Sequence, residues 1–271
     1  MIDVSIVIPT RNAERLIGEC LTSVIASEPR EVIVVDGMST DRTLEIVESH
    51  GVRLLSDEGL GLPFARSLGA RTAQCDRVVL IDADVVVPPG ALQALLKEYE
   101  QGRYDALQAG LDSTSGEGYW GRALAEHHRS GRSKRWFGVV CTIFDRQVLL
   151  AHGFDARFVS GEDIELRLRL QQSGARIGVS RQVFVTHRFA EDSFEFARSQ
   201  WIADGRGLGR LLRKQGWRAG WVLALPAAAA GRGTAVSALR RQPRWIPYYL
   251  AYAAYNYRSI VGGWRERSRQ R

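Results

Sequence analysis

The first hundred residues repeat one pattern: a short apolar, mostly β-branched run, a polar turn, then apolar positions three and four apart. Val4–Ile8, Glu31–Val35, Val52–Leu55 and Val78–Ile81 are the runs. Segments this short and this uniformly apolar predict strands buried on both faces. Between the first two, residues 13–27 place Leu16, Ile17, Cys20, Leu21, Val24 and Ile25 at helical spacing. Further helices are expected over 41–49, with Ser39 or Thr40 as N-cap, over 62–73 and over 91–101. Strand alternating with helix implies a parallel sheet covered on both sides. After that the pattern fades. Residues 112–135, rich in Gly, Ser, Arg and His, predict a loop or lid with one short helix, and His127 and His128 within it are expected to face solvent. Residues 161–172 alternate Ile164, Leu166, Leu168 and Leu170, but the acidic start and Arg-rich body favour a helix. A late strand is expected over 182–186.

Composition changes the picture mainly at the C-terminus. The chain of 271 residues accommodates one large α/β domain with an appendage, or two small domains. Its net charge of +7 is unevenly spread: residues 206–271 hold 14 Lys/Arg against the single acid Glu266, leaving residues 1–205 net negative. A basic tail on an acidic body argues against a nucleic-acid-binding core and for a tail that meets an anionic surface. The tail also holds Trp217, Trp221, Trp245 and Trp264, with five tyrosines between Tyr248 and Tyr257. The apolar stretch 220–231 is too short to span a bilayer, which takes roughly 20 residues. Residues 245–264 have the length but carry Pro247, Asn256 and Arg258. They read either as an amphipathic helix at a membrane surface or as a helix packed on the core or on a second subunit, with a true span disfavoured by the mid-helix Arg258. Three scattered cysteines (Cys20, Cys75, Cys141) with no C-x-x-C pair suggest a reducing compartment and no zinc site. The start, from Met1 straight into a strand, shows no secretory signal, so a cytosolic location is expected.

The chemistry concentrates after the strands. Asp82-Ala83-Asp84 follows Val78–Ile81 directly. In an extended chain, residues two apart point the same way, so both carboxylates are expected at the carboxyl end of a central strand, where open α/β sheets place ligands. Two carboxylates aimed at one spot suit a hard divalent cation bridging to a diphosphate. The turns Pro9-Thr10-Arg11-Asn12 and Asp36-Gly37-Met38-Ser39-Thr40-Asp41 close the first two strands with small and polar groups. No G-x-G-x-x-G follows the first strand and no G-x-x-x-x-G-K-[ST] occurs, which removes the main support for dinucleotide oxidoreductases and P-loop NTPases.

The order of these pieces, with Arg66 and Gly69 on a helix between the second turn and Asp82-Ala83-Asp84, resembles family 2 glycosyltransferases of the GT-A fold over roughly residues 3–190. The resemblance implies a Rossmann-like, mostly parallel sheet with helices on both faces. A catalytic domain over about 1–205 would hold a donor half (1–110) and an acceptor half (111–205), followed by the helical basic, aromatic tail 206–271. It implies that Pro9, Thr10, Arg11 and Asn12 line a nucleotide pocket, that Asp36 binds the base, and that Arg66 lies near the diphosphate. Asp82 would contact ribose or metal-bound water, Ala83 would lie among the donor-nucleotide contacts, and Asp84 would ligate Mn²⁺ or Mg²⁺. Ser160-Gly161-Glu162-Asp163 looks like the family's acceptor-side motif, with Asp163 as general base and Glu162 positioning the acceptor or sharing that role. A late histidine, His187, would complete the metal site. The expected reaction is an inverting, single transfer from a UDP- or GDP-sugar to a glycan or lipid-linked acceptor of polyprenyl-phosphate type. It would occur on the cytosolic face of a membrane, reached through the tail. Two other classes compete. A nucleotidyltransferase would show a Gly- and Lys-rich N-terminal loop, absent at residues 8–12, and a non-catalytic nucleotide-sugar-binding module would tolerate Asp163→Asn.

Overall fold

In the computed structural model, which describes residues 1–130 and 136–266, the strands form one eight-stranded sheet. Along the chain run β1 (Ile2–Thr10), α1 (Ile17–Ile25), β2 (Pro29–Asp36), α2 (Thr43–Ser49), β3 (Arg53–Ser56) and α3 (Leu62–Thr72). Next come β4 (Arg77–Ile81), β5 (Val85–Val86), α4 (Ala91–Gly102), β6 (Ala106–Thr114), α5 (Tyr119–Ser130), β7 (Cys141–Asp145) and α6 (Arg146–His152). The rest is α7 (Glu162–Gln172), β8 (Ile177–Arg188), α8 (Phe194–Gln215), α9 (Ala224–Leu239) and α10 (Ile246–Arg265). The strand order is β3-β2-β1-β4-β7-β6-β8-β5. The first four strands pair in parallel, as the βα alternation requires, whereas β7 runs antiparallel to both β4 and β6, and β5 antiparallel to β8.

Side chains alternate across this sheet into two cores. Ile6, Ile8, Val79 and Ile81 pack with Leu21 of α1 and Leu95 of α4. Val7, Ile33, Val78 and Leu80 pack with Ala65 of α3 and Leu166 and Leu170 of α7. Each of the Val, Leu and Ile side chains, fully buried, contributes about 1.5–3 kcal/mol. Burial on both faces explains why the strand runs lack alternation.

Three expectations change. The weakly patterned stretch 112–135 contains the end of β6 and the 12-residue helix α5, and β7 and α6 follow it; residues 131–135 lie outside the described residues. Helix α2 begins at Thr43, not after Ser39 or Thr40. Asp41 takes the capping part, accepting from the Thr43 backbone and hydroxyl, while the Ser39 hydroxyl donates to Asp36 and Thr40 to Asn12. The boundary expected at 205/206 falls inside the 22-residue α8.

The C-terminal helices fold back on the α/β body. Helices α8 and α10 cross with their backbones in contact. A Cβ on Gly209 would collide with the Ile260 carbonyl oxygen, and one on Gly263 with that of Arg206. Lys214 ties α8 to Glu165 of α7 (2.5 Å) and to Asp155 (2.7 Å). The run Phe194–Leu239 is long and apolar enough to cross a membrane by length and composition alone.

Candidate active site

The turns after β1 and β2 are built by hydrogen bonds between them. Thr10 faces Asp36 in the parallel register. Asp36 is buried, and both carboxylate oxygens serve Ser39, one taking its backbone N–H (2.9 Å) and one its hydroxyl (2.5 Å). Asn12 accepts from the Thr40 N–H at 2.8 Å and donates its own N–H to the Ser39 hydroxyl. Asn12 and Met38 sit at φ of 50° and 61°, a conformation Asn tolerates and Met does not favour. The Thr10 hydroxyl is buried without a partner, a polar group left for a ligand. Pro9 is buried and Arg11 exposed at the rim.

Asp82-Ala83-Asp84 does not continue β4 in extended form. It is a turn between β4 and β5, closed by the Val85 N–H on the Asp82 carbonyl, so the same-face argument from an extended chain does not apply. The two carboxylates take different partners. Asp82 Oδ1 accepts from Arg66 Nη2 at 2.7 Å, and Arg66 Nη1 donates to Glu162 Oε1 at 2.7 Å. Arg66 is 2% exposed and lies 5.6 Å from the Phe154 ring centre. Its guanidinium therefore links the turn after β4 to the N-terminus of α7, and both terminal nitrogens are committed to carboxylates. Burial pushes the Asp82 carboxyl up to about 6, against the pull of Arg66 and with the push of Asp84. Glu162 is buried against Arg66, which suits positioning more than proton transfer.

Asp84 meets His187 because β5 pairs with β8, setting Val85 opposite His187. Asp84 Oδ2 lies 3.2 Å from His187 Nε2. Burial alone would lower the His187 pKa, but the Asp84 carboxylate raises it above its ordinary value. Asp84 Oδ1 is buried with no hydrogen-bond partner. Among the described residues, no group of three or more His, Cys, Asp or Glu side chains could hold a metal ion by itself. One carboxylate and one imidazole with an orphaned oxygen between strand ends still fit a Mg²⁺- or Mn²⁺-type ion. Such ions take one or two carboxylates and complete their shell with phosphate and water.

Asp163, the second residue of α7, opens onto a cavity of about 430 Å³. The floor is the segment Trp136–Val140, where Val139 is held at φ 63°, an outlier for a β-branched residue, and is fully buried. The walls are α5, α8, α9 and α10, with Leu124, Trp201, Leu225 and Tyr248. Burial, then the neighbouring Glu162, push the Asp163 carboxyl up to about 7.

A second carboxylate, Asp204 of α8, lines the same cavity and is likewise pushed up to about 7 by burial and Glu162. The sequence offered one signal for it: Asp204 is the only acid between Phe196 and Arg265. His127 and His128 also line the cavity, which corrects their expected exposure. His127 Nδ1 lies 2.9 Å from the Tyr248 hydroxyl, and burial lowers its pKa to about 4. The His128 ring stacks parallel to His187, 6.0 Å between centres.

Comparisons with known proteins give the family and the fold. The sequence model for glycosyl transferase family 2 matches residues 5–150. A dolichyl N-acetyl-alpha-D-glucosaminyl phosphate 3-beta-D-2,3-diacetamido-2,3-dideoxy-beta-D-glucuronosyltransferase of Methanococcus voltae is 23% identical over 78% of this chain and 74% of its own length. Other curated glycosyltransferases align over about a third of their length, 35% and 31% in two cases. A mannosyltransferase of Pyrobaculum calidifontis, solved with GDP-Man and Mn²⁺, superposes with a TM-score of 0.64 at 21% identity, covering 96% of this chain and 86% of its own. TarS 1-349 of S. aureus with UDP-GlcNAc gives 0.57 at 19% identity, covering 97% and 92%. These likenesses give the fold, GT-A, and the family match gives the kinship: the chain belongs to glycosyl transferase family 2 and is a glycosyltransferase.

Proposed function

We propose that this enzyme moves one sugar from a UDP- or GDP-linked donor to a hydroxyl on a lipid-linked acceptor, with inversion at the anomeric carbon and dependence on a divalent ion. The observation that carries the reading is the Arg66 bridge, which holds Asp82 of the β4 turn and Glu162, next to Asp163, in one fixed frame. Thr10, Asn12 and Asp36 would bound the nucleotide, with Pro9 and Arg11 at the same turn and Ala83 among the donor-nucleotide contacts. Asp84 and His187 would hold Mn²⁺ or Mg²⁺, whose charge, when bound, offsets that of the departing diphosphate. Asp163, poised near neutrality, accepts the proton of the acceptor hydroxyl. The acceptor oxygen bonds to the anomeric carbon as the sugar–phosphate bond breaks, and the diphosphate carries away the electron pair.

The same reading sets the enzyme at a membrane surface on its cytosolic side. Trp217 (87% exposed), Trp221 and Leu223 stand out from the C-terminal helices near Arg213 and Arg218. Exposed indoles beside arginines suit the headgroup layer of anionic lipid. The M. voltae relative, named for a dolichyl-linked acceptor, supports an acceptor carried on lipid.

The test is hydrolysis and transfer with a panel of UDP- and GDP-sugars in Mn²⁺, Mg²⁺ or EDTA. Turnover of one donor that stops in EDTA is the expected result. Turnover indifferent to EDTA removes the metal, and no turnover of any donor removes the reaction.

A further inference from the structure

The cavity beyond Asp163 has a composition that narrows the acceptor. Most of its lining is apolar, contributed by α5 and by the faces of α8, α9 and α10 that turn toward the catalytic body. Its size falls within the roughly 300–1,000 Å³ of small-molecule sites. Hydrogen-bond acceptors share the lining with the Trp201 indole N–H and the tyrosine hydroxyls. Asp163 and Asp204 are carboxylates, and Asn256 of α10 is fully buried with its amide nitrogen donating to the Tyr252 carbonyl. That bond leaves Asn256 Oδ1 in the cavity wall without a partner. Arg232 is the one Lys or Arg among the described lining residues, and it lies close enough to His127 to lower its pKa.

We propose that this cavity holds the apolar body of the acceptor, and that the group it presents to Asp163 is a neutral hydroxyl, as on an isoprenoid or similar lipidic alcohol, and not a phosphate. The inference rests on Asp163 being the acceptor base, as above. The unpartnered Asn256 Oδ1 and the carboxylates beside it call for a donor, which a hydroxyl supplies and an ionised phosphate does not. A phosphate would also enter a low-dielectric space already facing two carboxylates, with Glu162 behind them, where like charges repel strongly. The apolar walls are what a chain or ring system would lie against, and they leave its polar end at the base.

The experiment uses the full chain with farnesol, farnesyl monophosphate and free glucose as acceptors, and reads two quantities. One is sugar transfer from the preferred donor; the other is quenching of tryptophan fluorescence, since Trp136 and Trp201 line the cavity. Farnesol is expected to quench saturably and to exceed farnesyl monophosphate by about tenfold or more in kcat/KM, the factor that a single uncompensated charge repulsion readily supplies. Ala229→Phe, on the α9 wall, narrows the cavity and is expected to lower farnesol quenching and transfer together. Stabilisation of that variant by UDP and Mn²⁺ shows that it is folded, and Val236→Phe on the same wall serves if it is not. Preference for the monophosphate or for glucose, or farnesol transfer untouched by a folded wall variant, overturns the proposal. Should no donor be turned over, the transferase reading fails, while the quenching arm still decides what the cavity binds.

Discussion

The nucleotide side and the acceptor side of this enzyme are made in different ways. The first is polar and local: turns at the carboxyl ends of β1, β2 and β4, the first two joined by the Thr40 N–H on Asn12 and the third held by Arg66 of α3. The second is apolar and assembled from afar: Asp163 from α7, Asp204 from α8 and Asn256 from α10 meet only because four helices close over the sheet. In the proposed function, local turns would bind a feature that every donor shares, a nucleoside diphosphate. A helical cap can be reshaped without disturbing them, so acceptor choice would reside there. Arg66 is the link between the two.

The largest expected effect separates the sides by function. Asp163→Asn removes the proton acceptor and should lower kcat by about 10²–10⁴-fold, while the thermal shift produced by UDP and Mn²⁺ remains. Loss of nucleotide binding in that variant would mean that the two sides are not separable. Next comes the link. Arg66→Met leaves Asp82 and the buried Glu162 uncompensated, and removing one partner of a buried ion pair costs about 3–5 kcal/mol. Chemical denaturation should show that loss, and a change below about 1 kcal/mol would reduce the bridge to an ordinary surface contact.

A subtler effect concerns pH. Asp163 and Asp204 have folded-state values of about 7, above the ordinary carboxylate range. The folded chain therefore keeps protons that the unfolded chain has released. Stability should fall as pH rises from about 4 to about 7 and level off above. Over the same window kcat/KM should rise, because Asp163 must be ionised to accept a proton. Asp204→Asn should flatten the dependence of Tm on pH, being more stable than the parent at pH 8 relative to pH 5. A parallel profile in the variant would take Asp204 out of the cavity's electrostatics. Smallest of all, Trp217→Ser should leave stability within about 0.5 kcal/mol, as exposed substitutions do. It should still weaken sedimentation with anionic vesicles; unchanged sedimentation would take that face off the membrane.

How much of this was readable in the sequence follows the same division. The strands β1, β2 and β4 announce themselves because burial on both faces demands uninterrupted apolar runs, and the turns after them carry their chemistry in consecutive residues. Even there the sequence misjudged the Asp82–Asp84 geometry, since a turn and not an extended strand sends the carboxylates to Arg66 and His187. On the acceptor side, β6 was missed because Ala106, Ala109 and Gly110 carry little apolar signal; Phe184 of β8 packs where a Cβ on Gly110 would sit. His127 and His128 looked like solvated residues in a Gly- and Ser-rich loop, yet α5 lies against β6 and turns them into the cavity. Aromatic residues of α10 that read as candidates for a membrane surface, Tyr248 and Tyr249, are buried against α5 and α8. Helical periodicity says that a face is apolar; it does not say what covers it.

One titration reaches the centre of the account. UDP and GDP are titrated calorimetrically into the chain with and without Mn²⁺, and the series is repeated for Asp84→Asn, His187→Ala and Asp163→Asn. The account predicts that one nucleotide binds more tightly with Mn²⁺, that the first two substitutions remove the gain, and that Asp163→Asn keeps it. Binding of neither nucleotide, or a gain indifferent to Asp84 and His187, would contradict it.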